Sequence, residues 1–113
     1  MNYTVQYTDC RWKISGYFAV AVEFQNWQPK DFVQCQRWMA KTYGDSVNES
    51  VLLDLIDGAR RSGIYPRNPQ FWSNIPEASQ HWCYRESHKE SGVHRLYLRG
   101  RQELNFFQLR FAD

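Results

Sequence analysis

The feature that most constrains this chain is the change of its hydrophobic period, from two residues to about 3.6 and back to two. Tyr3, Val5 and Tyr7 alternate with Thr4, Gln6 and Thr8, the pattern of a half-buried strand. Residues 16–24 alternate again, with Phe18, Val20, Val22 and Phe24 set against Tyr17, Ala19, Ala21 and Glu23. The small alanines mark this second strand as central and well covered. From Pro29 the period lengthens. Pro29 suits a first helical turn, Asp31 suits the positive helix end, and Phe32, Cys35, Met39 and Tyr43 form one stripe, so a helix is expected over 29–43 with Gly44 as its stop. Ser46 and Glu49 make a capping-box pattern ahead of Val51, Leu52, Leu55, Ile56 and Ala59. A second helix is expected there, closed by Arg60, Arg61 and Gly63.

Residues 64–76 hold three prolines and no sustained period, so they read as a long ordered loop. Alternation returns at 81–86, and a polar turn over 87–92 leads to the C-terminal stretch from Val93 to Phe111. This last stretch reads as a two-stranded hairpin about Gly100 and Arg101. In that register Leu98 faces Glu103, Tyr97 faces Leu104, and Arg95 faces Phe106. Leu96, Leu98, Phe107, Leu109 and Phe111 would then meet a core, while Arg95, Tyr97, Arg99, Phe106 and Arg110 would share the opposite face. The expected fold is a single α+β domain over residues 1–113. Its antiparallel sheet has about five strands, two helices pack on one face, and the element order is ββααβββ.

Composition bears on partners more than on architecture. The chain has 113 residues, enough for one core. Its five Trp, seven Tyr and seven Phe exceed what that core needs, so some aromatic residues should lie at the surface. Fourteen Lys and Arg stand against 12 Asp and Glu, a net charge of +2. The field of the whole molecule is therefore weak, and nucleic-acid binding would need local clustering. Cys10, Cys35 and Cys83 are an odd number at wide spacings without a secretory signal before them, which points to a reduced, cytoplasmic setting with the thiols as small apolar residues. No apolar run approaches the ~18 residues of a membrane span. No cofactor or metal is expected, because His81, His88 and His94 lack ligand spacing and no phosphate loop or nucleophile elbow is present. Alternation places His94 on the apolar face, where a satisfied structural histidine fits.

Two groups of residues have the chemistry of a binding surface. Arg95, Tyr97, Arg99, Phe106 and Arg110 would present guanidinium groups and rings on one sheet face, extended by Arg85 if it points the same way. Alternating Arg and Tyr also simply solvate a sheet, but Leu104 and Phe106 on that face call for a covering partner. In the loop, Tyr65, Arg67, Phe71 and Trp72 are residue types that dominate interface hot spots, held ready by prolines.

From Asp31 onward, two amphipathic helices, a proline-bearing loop and a three-stranded meander resemble the RelE/HigB-type toxins, small ribosome-linked ribonucleases. Trp82, Cys83, Tyr84 and Arg85, followed by His94, Arg95, Leu96 and Tyr97, look like that family's paired central strands. The resemblance implies that Arg85 and Arg95 contact RNA. The family's last strand usually ends on an acid-base residue, whereas this chain ends Arg110, Phe111, Ala112, Asp113.

The resulting expectation is a small non-catalytic binding protein of inhibitor or immunity type. It acts on a protein partner through the Arg/aromatic sheet face and the 64–76 loop. The alternative is an RNA-binding or RNA-cleaving domain, an endoribonuclease in which Arg85 and Arg95 grip phosphate while Tyr97 or His88 assists proton transfer. A homodimer sealed through Leu104 and Phe106 is a third arrangement.

Overall fold

The computed structural model describes residues 2–12, 14–25, 29–63, 73, 75–87 and 92–112. Its elements are β1 (Thr4–Tyr7), β2 (Val20–Gln25), α1 (Pro29–Tyr43), α2 (Glu49–Arg61), a 3-10 turn (Glu77–Gln80), β3 (Trp82–Arg85), β4 (Val93–Leu98) and α3 (Arg101–Arg110). The four strands form one antiparallel sheet in the order β1-β2-β4-β3. No helix among the described residues is long and apolar enough to cross a membrane.

Register sorts the side chains into two faces. Val20, Val22 and Phe24 stand beside Leu98, Leu96 and His94, and Trp82 stands opposite Leu98. This first face packs against Phe32, Cys35 and Met39 of α1, against Leu104 and Phe107 of α3, and against Phe111. Each ring or aliphatic group fully buried there contributes on the order of 1.5–3 kcal/mol. Offset by one residue, Ala21, Tyr97 and Cys83 lie in one row across β2, β4 and β3. This second face packs under Leu52 and Ile56 of α2, with Ile14, Tyr17, Phe18 and Ile75. The expectation of two helices on one face is therefore corrected, because α1 and α2 take opposite sides of the sheet. The small Ala21 leaves room for that second layer, and β2 is buried along five of its six residues.

Helix α1 has the expected bounds. It stops at Gly44, whose φ of +102° is a left-handed conformation that favours glycine. A β-carbon there would meet that of Ala78 at 3.3 Å. The Gly44 carbonyl accepts a 3.0 Å bond from the Trp82 indole N–H, which ties the helix end to β3. Helix α2 starts differently from the capping-box pattern. Asn48 is its N-cap, with Oδ1 accepting from the Val51 N–H at 3.1 Å. Ser46 instead bonds the Ser79 hydroxyl and the Trp82 carbonyl.

The C-terminal hairpin is not formed. Residues 101–110 are a helix, so among the described residues the sheet has four strands rather than about five, α3 is added to the two expected helices, and the order of these elements is ββααββα. Two causes agree. Strand β4 has β2 on one side and β3 on the other, so neither edge is left for a fifth strand. The segment is also rich in Arg, Gln, Glu and Leu and has no β-branched residue, a composition that favours helix. Glu103 accepts from the Gly100 N–H at 3.1 Å and fixes the first turn. Leu104, Phe107 and Phe111 fit a helical stripe as well as Phe107, Leu109 and Phe111 fit a strand, and the helix leaves Leu109 83% exposed. The three-stranded meander behind the toxin resemblance is absent with that strand. Leu104 is buried in the core, so the dimer seal through Leu104 and Phe106 also lacks its surface.

Candidate binding cleft

Toward the open end of the second face, apolar packing gives way to charge. Glu23, Arg95 and Arg85 occupy one row across β2, β4 and β3. Two arginines directly opposite each other repel, at a cost on the order of 0.2–1 kcal/mol, so the row needs carboxylates. Glu23 supplies one, accepting from Arg95 Nε at 2.7 Å. Glu49, at the first turn of α2, supplies the other. Its Oε2 accepts the Tyr97 hydroxyl proton at 3.0 Å and lies 4.0 Å from Arg85 Nε. Arg95 Nη1 also donates to the Tyr97 oxygen at 3.5 Å.

Arg95 and Tyr97 form the floor of a cleft of about 930 Å³, walled by Arg11 and Trp12 on one side and by Asn48 with Glu49, Ser50 and Leu53 of α2 on the other, with Tyr84, Arg85 and Glu86 at the β3 edge. Trp12 lies over the Arg95 guanidinium at 4.5 Å and meets the Tyr97 ring edge-on at 6.2 Å. The stacking holds Arg95 against the sheet. Arg11 is folded back onto Asp9 at 2.6 Å.

Burial, then the Glu49 carboxylate, pushes the Tyr97 hydroxyl up to about 12. Burial opposes the charge on Arg95, but its bonds to Glu23 and Tyr97 outweigh it and the net shift is upward. Burial raises the Cys83 thiol well above its ordinary value, with Glu49 adding to the effect. Burial foremost also holds Cys35 at about 12. Neither thiol is an activated nucleophile. His94 is buried and stacked on Phe32 at 4.7 Å, with Nδ1 accepting from the Ser87 N–H. His81 bonds Glu103 at 3.1 Å and stacks on Tyr43, joining the start of β3 to α3. Among the described residues no group of three His, Cys, Asp or Glu is placed to hold a metal.

The expected site residues separate. Arg85, Arg95 and Tyr97 come together at the cleft, with Tyr97 only 1% exposed and thus a support rather than a contact. Arg99 follows β4, where its N–H donates to the His81 carbonyl, and burial lowers its guanidinium pKa. Phe106 and Arg110 belong to α3, across the sheet, so the five-residue Arg/aromatic face does not exist as one surface. Tyr65, Arg67, Phe71, Trp72 and His88 lie outside the described residues. Sequence reading passed over Trp12 and Glu49 of the cleft lining, and Glu23, which holds Arg95 from outside that lining. Trp12 and Arg11 sit in a segment with no period, and Glu49 read only as a helix cap. Comparison with known protein families, with curated sequences and with solved structures finds no match.

Proposed function

We propose that this chain is a non-catalytic binding protein whose cleft between α2, Trp12 and the β3–β4 strands receives a segment of a protein partner. The observation that carries this reading is the internal pairing of two of the three arginines in the cleft lining. Arg95 is engaged by Glu23, Arg11 by Asp9, and the Tyr97 hydroxyl by Glu49. A nucleic-acid groove needs cations free to replace counterions along a phosphate backbone, and here carboxylates stand beside them. What the cleft offers instead is a mixed lining in which Trp12 and Leu53 adjoin polar groups, the composition of a protein interface.

Photo-crosslinking tests this. With p-benzoylphenylalanine in place of Ser50, irradiation in a cell extract should give an adduct on a protein that survives ribonuclease treatment. An adduct removed by ribonuclease, together with RNA affinity that falls steeply with salt and is lost in Arg95→Ala, would establish the RNA reading in its place.

A further inference from the structure

Arg85 and Arg95 are opposite each other in the sheet, yet they are not equivalent. Arg95 is held at 2.7 Å by Glu23, bonds the Tyr97 oxygen and is stacked by Trp12. Arg85 is 50% exposed, and its nearest carboxylate among the described residues is Glu49 at 4.0 Å, outside hydrogen-bond reach. That carboxylate oxygen already accepts the Tyr97 hydroxyl proton. The remaining cation of the lining, Arg11, is closed onto Asp9. Among the described residues, Arg85 is thus the cleft cation whose planar fork of donors is open to a ligand, and it stands beside the exposed Glu86.

We infer that the partner segment seats a carboxylate, the side chain of an Asp or Glu, on Arg85 with an apolar residue beside it against Trp12 and Leu53. This rests on the cleft reading above and adds the chemistry of the ligand. A guanidinium fork matches a carboxylate with two parallel hydrogen bonds. A single open cation among the described residues, flanked by Glu49 and Glu86, takes one such group and disfavours a run of negative charge. The apolar neighbour follows from the wall, because Trp12 and Leu53 are partly exposed apolar side chains of the same cleft lining.

The probe is a displayed library of random twelve-residue peptides panned against the full chain. Recovered peptides should be enriched in Asp or Glu next to an apolar residue. Their binding should weaken about tenfold or more in Arg85→Gln, a loss of about 1.4 kcal/mol, and be partly retained in Arg85→Lys. Peptides that need Trp12, shown by loss in Trp12→Ala, but lack acidic enrichment and ignore Arg85→Gln would overturn the carboxylate inference and leave the cleft reading standing. Peptides insensitive to both Trp12→Ala and Arg85→Gln, in variants whose circular dichroism matches wild type, would overturn both. Basic peptides that depend on Glu86 would contradict the inference by reversing its sign.

Discussion

The two faces of the sheet share strands and differ in what their side chains do. The face under α1 and α3 is closed mostly by hydrocarbon, from Phe24 and Phe32 to Trp82 and Phe107, with His94 buried among the rings. The face under α2 begins the same way at Ala21, Cys83 and Leu52, then ends one row later in Glu23, Arg95 and Arg85. The first face stabilises by removing area from water. The second gives up part of that gain to hold paired charges in place, and the exposed remainder of that arrangement is the cleft. On the proposed reading, the binding site lies where the core stops short.

That contrast can be broken most severely on the apolar face. Phe107→Ala removes a ring buried among Tyr3, Trp38 and Phe111, and denaturant unfolding should show a loss of about 3–5 kcal/mol. An effect below about 1 kcal/mol would mean that α3 is not part of the core. On the charged face the expected loss is smaller. Tyr97→Phe leaves Glu49 without its hydroxyl donor, and the same measurement should show about 1–2 kcal/mol.

The pH dependence separates the two variants further. The Tyr97 hydroxyl titrates near about 12 in the folded chain, above its ordinary 10.0. The folded state therefore favours its protonated form. That contribution is whole below a pH of about 10 and is lost as the pH rises toward 12. The advantage of wild type over Tyr97→Phe should shrink across that window, whereas wild type minus Phe107→Ala should not follow it. The smallest effect belongs to Leu109, which the strand pattern assigned to the core. Leu109→Ser should change stability by less than about 0.5 kcal/mol, since the side chain is in water.

The same contrast explains which parts were legible from the residues. The bounds of α1 followed from Pro29, the Phe32–Cys35–Met39 stripe and Gly44, because local propensity and burial agree there. The covering of β2 on both faces followed from Ala21 beside Val20 and Val22, whereas Ala19 lies before the strand, which starts at Val20 rather than at 16, and is exposed. Residues 101–110 misled because Phe107 and Phe111 satisfy both periods, and only the position of β4 between two neighbours decides against a strand. That position is a long-range fact. The cleft was half visible. Arg85, Arg95 and Tyr97 stood out as a basic-aromatic cluster, but their pairing with Glu23 and Glu49 brings together residues 72 and 48 positions apart. No periodicity encodes such contacts, and Trp12 sits in a segment that has none.

Hydrogen–deuterium exchange of the chain with a peptide recovered by panning tests the central claim most directly. Protection should appear at residues 11–12, 49–53, 84–86 and 95–97, the borders of the cleft, and the exposed side of α3 around Phe106 and Leu109 should exchange as it does in the free chain. Protection centred on α3, with the cleft unchanged, would contradict the account and move the binding surface to the other side of the sheet.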